Sequence, residues 1–299
     1  MFYSLRLRLN YAWFNYSNRA AFSTPPLKLD PVGPIVLTQL CHDVVLMYLI
    51  AIKTFGERVR PSAVYVLDDG SLTPEDHALV KFHVEGLTVL TWQDYLNPKC
   101  PKRSCWERLL AISTLSKSGY IVQLDADTIT LGAISEIREA IAENRSFVIG
   151  TRDKQDFEMM PAAVKGGHLR LERSLHVQNL AEANFDKLVG YENMRYVRGC
   201  AGFSGFAKAS VSQDYIEAIS AQMYQAIGDR WNEWGTEQVM SNIVVSNSPD
   251  AVVLPHPKFC NCKSIADGLT EFIHFIGTCR FVRGTYARYV TAAISRLGT

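Results

Sequence analysis

Apolar and polar residues alternate in two ways along the first half of the chain, and both patterns predict regular structure. Short apolar runs, typical of buried strands, lie at residues 34–40, 63–67, 87–91, 120–124 and 147–149. Between them, apolar side chains recur at the spacing of one helix face in residues 42–55, 104–116 and 134–141. Strands that alternate with helices form βαβ units, so the pattern predicts an α/β fold with a mainly parallel sheet flanked by helices.

The second half of the chain is less regular. Residues 152–195 are polar and contain Gly166-Gly167, which predicts an irregular region that covers a substrate. Helices are expected at residues 211–227 and from about residue 237. In the first half, Thr73 before Pro74 predicts a helix start, with a cap residue followed by proline at the first helical position.

Composition narrows the class of protein. Of 299 residues, 47% are apolar and 20% are charged, which is typical of a soluble globular protein and excludes a disordered chain. The net charge of +1 produces no overall positive potential that would attract nucleic acid. The longest apolar run, residues 44–52, is far shorter than the roughly 20 residues of a transmembrane helix. We therefore expect a cytoplasmic protein with neither a transmembrane span nor a nucleic-acid partner.

The N-terminal segment is basic. It contains Arg6, Arg8 and Arg19, and the first acidic residue is Asp30. The segment lacks the continuous apolar core and the cleavage site of a signal peptide. A structured lead-in is the expectation, and peripheral contact with a membrane is the alternative. No repeat and no linker rich in Pro, Gly or Ser divides the rest, so we expect a lead-in at 1–30 and one domain at 31–299 with an elaborated C-terminal half.

Cysteine usage favours free thiols. The odd number, seven, in a chain of this length fits reduced cytosolic thiols better than a disulfide framework. An alternative is a four-sulfur zinc site made of Cys100, Cys105, Cys260 and Cys262, although the Cys-x-Cys spacing is unusual for zinc.

The sharpest chemical feature is a pair of acids that closes an apolar strand. Asp125 and Asp127 follow the run at residues 120–124, at the edge of the sheet where ligands bind. In an extended chain the two side chains would point to opposite faces, whereas a turn that starts at Asp125 brings them together. Two adjacent carboxylates stay ionised most easily beside a cation, and hard oxygen ligands suit Mg²⁺ or Mn²⁺. The simpler alternative is that they only cap the next helix.

The Leu124-Asp-Ala-Asp127 stretch resembles the DxD motif of GT-A glycosyltransferases, which hold a divalent metal and a nucleotide-sugar diphosphate. Further segments resemble other elements of these enzymes in the expected order. Asp68 and Asp69, in Asp-Asp-Gly-Ser, are similar to the element that binds base and ribose. Arg108 is similar to an arginine that approaches the donor in family 8. Gly202 lies in a small-residue segment like the one near the transferred sugar.

The later segments resemble family 8 most. Glu237 and Gln238 are similar to the acid-Gln pair that opens a late helix, and His274-x-x-Gly277 resembles the HxxG segment whose histidine is the third metal ligand. The resemblance implies a Rossmann-like GT-A fold, Mn²⁺ or Mg²⁺, a UDP-sugar donor and a hydroxyl acceptor on a glycan, a lipid-linked molecule or a protein. It covers roughly residues 34–281.

The chain also departs from that family. A Lys-Pro-Trp-like stretch usually follows HxxG, and Thr-Cys-Arg-Phe stands there instead, so Arg280 is expected to replace the lysine on the diphosphate, with Arg283 as a second cation. The Asp-Asp-Gly-Ser element is more typical of inverting family 2. Retention is slightly favoured over inversion. Glu237 would be the base in an inverting enzyme, and with Gln238 would lie beneath the sugar in a retaining one.

Each role has a structural alternative. Asp68 and Asp69 also suit an ordinary Asp-Gly turn, His274 suits an apolar core, and Glu237 suits a helix N-terminus. Trp231 and Trp234 can stack on a sugar or simply pack.

Two other functions remain open from the sequence. Residues 124–130 also fit the DxDxT loop of haloacid-dehalogenase-like phosphatases, in which the first aspartate is the nucleophile. That loop usually follows the first strand, whereas about three strands precede it here. The other alternative is a sugar- or nucleotide-binding module without catalysis.

Overall fold

A computed structural model describes residues 2–281 and 284–298. The protein has a mixed α/β fold with a mainly parallel seven-stranded sheet flanked by helices, which confirms the predicted fold class. Within the described residues the helices are α1 (Phe2–Ser17), α2 (Val45–Val59), α3 (Pro74–His83), α4 (Trp106–Leu115), α5 (Ser135–Ala142), α6 (Met160–Leu171), α7 (Val177–Ala183), α8 (Gln213–Ile227), α9 (Thr236–Ser246) and α10 (Thr285–Leu297). The strands are β1 (Ile35–Leu40), β2 (Ala63–Asp68), β3 (Thr88–Thr91), β4 (Ile121–Leu124), β5 (Thr128–Thr130), β6 (Phe147–Ile149), β7 (Glu158–Met159), β8 (Arg195–Tyr196), β9 (Cys200–Phe206), β10 (Val252–Leu254), β11 (Phe259–Asn261) and β12 (Phe272–His274).

The chain forms two compact units. The first unit comprises Met1–Thr91, Leu124–Ser135 and Pro257–Thr299, and the second comprises Trp92–Gln123 and Glu136–His256. The division into a lead-in at residues 1–30 and a domain at 31–299 stays a prediction.

The first unit contains the parallel strands β1, β2 and β3. β1 and β2 pair in register from Ile35 opposite Ala63 to Leu40 opposite Asp68, and β3 pairs with β2. Helix α2 is buried from Val45 to Gly56, as its continuous apolar run predicts. It begins after the predicted residue because His42–Val44 form a short 3-10 turn. The predicted start of α3 is confirmed: the Thr73 side chain accepts from the Asp76 backbone and Asp76 reciprocates.

A second, smaller sheet in the same unit has the order β11-β12-β5. β12 is parallel to β11 and antiparallel to β5. Ile129 and Ile273 face each other in this pairing and are fully buried in a cluster with residues of α2 and α10. Phe14 of α1 joins this cluster by stacking on Tyr286 of α10, with ring centroids 5.1 Å apart. The apolar cluster thereby holds β5 and β12 together.

The second unit contains β10 parallel to β6, and β6 antiparallel to β9. Helix α8 follows the prediction closely, and Ser212 caps it by accepting from the backbone N–H of Tyr215. Helix α9 begins one residue before Glu237, also near its predicted start.

The prediction of an irregular region at residues 152–195 is wrong, because the segment contains β7, α6, α7 and the start of β8. Polar residues of this segment form buried ion pairs. The fully buried Glu182 pairs with Arg170 at 2.6 Å and with Arg198. At Gly167 an added Cβ would lie 2.4 Å from the backbone nitrogen of Ala183, so this glycine allows close packing of α6 on α7.

The cysteines also differ from expectation. Cys262 and Cys279 form a disulfide within the first unit, whereas Cys41, Cys100, Cys105, Cys200 and Cys260 are free. The expectation of reduced thiols is therefore wrong for this pair. The alternative of a four-sulfur zinc site that includes Cys262 is also wrong, because the Cys262 sulfur is bonded to that of Cys279. None of the helices in the described ranges has the length and apolar character that crossing a membrane would require.

A buried lysine, which has no carboxylate partner among the described residues, connects α2 to the segment that precedes β1. The Lys53 ammonium donates to the Thr24 hydroxyl at 2.7 Å and to the Pro25 carbonyl at 2.7 Å, and lies 2.8 Å from Nδ1 of His83. Burial lowers the pKa of Lys53 to about 8. Burial, and then the charge of Lys53, lower the pKa of His83 to about 4. The fold therefore keeps His83 neutral at pH 7.

This arrangement predicts a loss of stability in mild acid. The pKa of His83 is lower in the folded than in the unfolded chain, so between about pH 6.5 and 4 the unfolded chain binds more protons. The free energy of unfolding should fall by up to ~3 kcal/mol as the pH decreases through this window. Urea denaturation at stepped pH measures it. His83→Gln keeps an acceptor for Lys53 and should reduce the slope, and an unchanged slope in that variant contradicts the assignment.

Candidate functional site

The acid pair lies on a turn between β4 and β5. Thr38 of β1 donates its hydroxyl to the carbonyl of Leu124 at 2.7 Å, which fixes the end of β4. The chain then turns at residues 126–127, and Thr128 donates its hydroxyl to the carbonyl of Asp125 at 2.9 Å. Because of this turn the two carboxylates converge on one point, which is the geometry that a metal site requires.

His274 completes a cluster with the two acids. β12 pairs with β5 so that His274 lies opposite Thr128, and the backbone N–H of Phe275 donates to the Asp127 carbonyl at 2.8 Å. Nε2 of His274 lies 3.1 Å from Asp127 Oδ1 and 3.7 Å from Asp125 Oδ2. One ligand atom from each of Asp125, Asp127 and His274 lies within 4.8 Å of the others. The sequence expectation that His274 joins the acids agrees with this placement.

Arg280 contacts Asp127 through the other carboxylate oxygen. Its Nε donates to Asp127 Oδ2 at 2.7 Å, and its Nη1 donates to the Tyr11 hydroxyl at 2.6 Å. Burial of the Asp127 carboxyl raises its pKa, but the charge and hydrogen bond of His274, and then those of Arg280, outweigh burial, so the pKa lies below its ordinary value. Asp127 is therefore ionised although its side chain is only 6% exposed.

This donor set fits a divalent cation. Two carboxylates and one imidazole offer three ligands of the type that Mn²⁺ accepts, while the carboxylates alone suit Mg²⁺. The more exposed Asp125, at 28%, lies on the solvent side of the cluster. A cation bound there would share Asp127 with Arg280, so that the guanidinium and the ion lie beside the same acid.

The side chains of Asp68 and Asp69 accept hydrogen bonds within the turn that contains them. Asp68 Oδ1 accepts from the backbone N–H of Gly70 at 2.7 Å, and its Oδ2 lies 3.1 Å from Nε2 of His77. Asp69 Oδ1 accepts from the backbone and hydroxyl of Ser71 at 2.9 and 2.6 Å. Gly70 has φ +94°, a conformation that favours glycine. The turn alternative is thus present in the structure, and a donor role for either acid stays a prediction.

The remaining candidates belong to the second unit. Arg108 of α4 pairs with Glu237 of α9 at 3.3 Å, and both side chains are only 5% exposed. The side-chain nitrogen of the half-buried Gln238 lies 3.5 Å from the side-chain oxygen of Gln178. Gly202 is buried in β9. The structure therefore brings Arg108 and Glu237 into direct contact, which the sequence analysis did not predict.

The two tryptophans have different environments. Trp231 is fully buried, donates its indole N–H to the Ser220 hydroxyl at 3.1 Å and packs edge-on against Trp106, so it is a core residue. Trp234 is 71% exposed and meets His176 edge-on with ring centroids 6.4 Å apart. Of the two tryptophans, Trp234 is therefore the one that is accessible to a sugar ring.

The loop after His274 is only partly as expected. At Gly277 an added Cβ would meet no atom within 4 Å among the described residues, so packing in this structure does not require glycine there. Arg283, the second predicted cation, lies outside the described residues. Tyr11 was not identified from the sequence, because nothing in the local pattern of the N-terminal segment indicates a hydroxyl that contacts Arg280.

Comparison with known proteins identifies the fold. No family model and no curated protein matches the chain. Among solved structures, an active-site mutant of LgtC matches with a TM-score of 0.54 at 11% identity, over 89% of this chain and 96% of that one. GlyE of Streptococcus pneumoniae TIGR4, a glycosyltransferase, matches with a TM-score of 0.51 at 12% identity, over 88% of this chain and 62% of that one. At such identities the likeness shows the fold alone, which is of the GT-A type.

The cluster predicts a measurable effect of metal on stability. Mn²⁺ at about 100 times its dissociation constant should raise the free energy of unfolding by about 2.7 kcal/mol if it binds only the folded chain. His274→Ala and Asp125→Ala should each remove most of this gain, because each deletes one of three ligands. Thermal unfolding with and without Mn²⁺, or with EDTA, measures it.

Asp267→Ala is the matched control, since Asp267 is an exposed acid of the same unit outside the cluster. It should keep the full stabilisation by Mn²⁺. Equal stabilisation of wild type and both cluster variants would show that the ion binds elsewhere.

Proposed function

We propose that this protein is a metal-dependent glycosyltransferase that moves a hexose from a nucleotide diphosphate sugar, a UDP-sugar, to a hydroxyl acceptor. The convergence of Asp125, Asp127 and His274 carries the proposal, because a GT-A type fold presents this donor set at a strand end. The DxD and HxxG resemblances independently point to the same three residues. The haloacid-dehalogenase-like alternative has no comparable support from the fold.

The first unit would bind the diphosphate end of the donor. Asp125, Asp127 and His274 would hold Mn²⁺ or Mg²⁺, which supplies Lewis-acid stabilisation of the diphosphate leaving group when bound. Arg280 is fixed beside Asp127 and would add a positive charge for the departing diphosphate, with Gly277 in the same loop. Asp68 and Asp69 would contact base or ribose from the turn at the end of β2.

The resemblance to family 8 assigns Arg108, Glu237, Gln238 and Gly202 to the sugar. Glu237 is ion-paired with Arg108, which favours a role for this acid in orienting Arg108 toward the donor. An ion-paired acid is a weaker base, so the pair fits a retaining enzyme better than one that uses Glu237 as general base. Gln238, half-buried beside it, would contact the sugar, and Gly202 would leave room for the ring.

The acceptor and location are also part of the proposal. A glycan precursor, whether free, lipid-linked or attached to protein, would provide the hydroxyl. The protein would act in the cytoplasm. Nucleic acid has no role in this reaction.

Hydrolysis of nucleotide sugars tests the donor half of the reaction. UDP-hexoses should be hydrolysed slowly with Mn²⁺ and not with EDTA, since water can replace the missing acceptor. Asp125→Ala and Asp127→Ala should each lower the rate by about 100-fold or more, because they weaken stabilisation of the leaving group. Release of UDP, followed by chromatography, gives the rate.

The controls separate loss of function from loss of fold. Circular dichroism melting should show that Asp125→Ala stays folded, since Asp125 is the more exposed acid. Asp267→Ala should keep the wild-type rate. Near-native turnover of either active-site variant would refute the assignment. Turnover of p-nitrophenyl phosphate would favour the phosphatase, and metal-dependent UDP-sugar binding without turnover would favour a binding module.

The stereochemistry gives a separate prediction. If Glu237 orients Arg108 and Gln238 contacts the sugar, the product should keep the anomeric configuration of the donor, as expected from the resemblance to family 8. Proton NMR of the first product formed resolves the two anomers. An inverted product would instead assign Glu237 as the base.

A further inference from the structure

Helix α1 exposes a row of large apolar side chains. Leu9, Trp13 and Tyr16 are 61%, 63% and 68% exposed. Their spacing of four and then three residues places them on one face of the helix. Phe22, just after the helix, is also exposed, at 39%. We call Leu9, Trp13 and Tyr16 the outer stripe of α1.

The opposite face of α1 is held by the first unit. Phe14 is 1% exposed and lies between Tyr286 and Phe281, at ring-centroid distances of 5.1 and 6.2 Å. Tyr11 contacts Phe281 edge-on at 5.0 Å. Because the inner face already anchors the helix, the outer stripe is not needed for this packing. Exposure of Trp and Leu side chains to water is unfavourable in free energy. Their alignment on one face of the helix therefore indicates that a partner covers them.

The N-terminal segment that carries the outer stripe has charged residues of one sign only. Arg6, Arg8, Arg19 and Lys28 precede the first acidic residue, Asp30. Arg8, Arg19 and Lys28 are exposed, and the Arg19 guanidinium lies 4.4 Å from the centroid of the Tyr16 ring. The Arg19 cation therefore stands at the same surface as Tyr16, although the whole chain has a net charge of only +1.

We propose that the outer stripe of α1 lies in the interface of an anionic phospholipid bilayer. Trp and Tyr favour the headgroup region, and Leu favours the acyl boundary just below it. The cations supply attraction to acidic headgroups, which a neutral or cationic partner surface would not match. The inference does not depend on the proposed transferase function. It would add to that function by presenting the first unit to acceptors at the membrane surface.

Vesicle binding by the full chain tests the proposal. The protein should co-sediment with vesicles of phosphatidylcholine and phosphatidylglycerol, and much less with phosphatidylcholine alone. L9S/W13S should lower the partition coefficient by about tenfold or more, because two apolar anchors are lost. L269S is the matched control: Leu269 is 64% exposed in the same unit but lies outside α1. It should bind as wild type does.

A second pair of variants tests the charge. R8E/R19E should reduce binding to the anionic vesicles by about tenfold while leaving the outer stripe intact. K117E/K208E makes the same change in net charge at exposed lysines of the second unit and should leave binding unchanged. Added salt should weaken the wild type more than R8E/R19E.

Several results would overturn the inference. They are equal binding to both vesicle types, equal loss in L269S and L9S/W13S, or no binding at all. Sedimentation velocity without lipid tests one further outcome. If the wild type forms dimers that L9S/W13S converts to monomers, and if the wild type does not bind vesicles, the outer stripe is the contact surface for a second copy. Circular dichroism melting of each variant checks that it is folded. UDP-sugar hydrolysis in detergent-free buffer is independent of these outcomes, so the two proposals fail separately.

Discussion

The antiparallel pairing of β12 with β5 is the interaction on which the candidate site depends. Asp127 and His274 are 147 residues apart in the chain, and this pairing alone sets them side by side. Its register is fixed by burial, because Ile129 and Ile273 face each other within the apolar cluster. A slip of β12 by one residue would turn Ile273 to the opposite face and move the His274 imidazole away from the acids. The apolar core of the first unit thus determines the position of a polar site.

Charge balance is the second constraint on this site. Two acids one residue apart repel each other, and burial of Asp127 adds to the cost of its negative charge. His274 and Arg280 offset that cost from opposite sides, and Asp125 keeps its contact with solvent. The result is an ionised acid pair in a partly enclosed position, which is a suitable environment for a divalent cation. In the second unit, the buried charges of Arg108 and Glu237 compensate each other by direct pairing.

Local patterns predicted the elements well, and long-range contacts could not be predicted in the same way. The apolar runs of β4 and α2 and the start of α3 at Thr73 and Pro74 are patterns of residues that are close together in the sequence. The partner of Arg280 depends on tertiary packing, as does the disulfide between Cys262 and Cys279, so neither left a signal in the spacing. Residues 152–195 look irregular because polar residues such as Arg170 and Glu182 occur there, yet these two side chains pair with each other between helices α6 and α7. The HxxG resemblance placed His274 with the acids because it carries long-range information that periodicity lacks.

The hydrogen bond from Arg280 to Tyr11 gives helix α1 an influence on the acid pair. Tyr11 lies on the inner face of the helix, while Trp13 lies on the outer face, two residues further along the chain. Any rotation of α1 about its own axis therefore moves the Tyr11 hydroxyl relative to the guanidinium. Since one guanidinium donates to both Tyr11 and Asp127, such a rotation alters the number of acceptors that hold Arg280 beside the carboxylate. The orientation of a surface helix is in this way coupled to the electrostatic state of a buried aspartate.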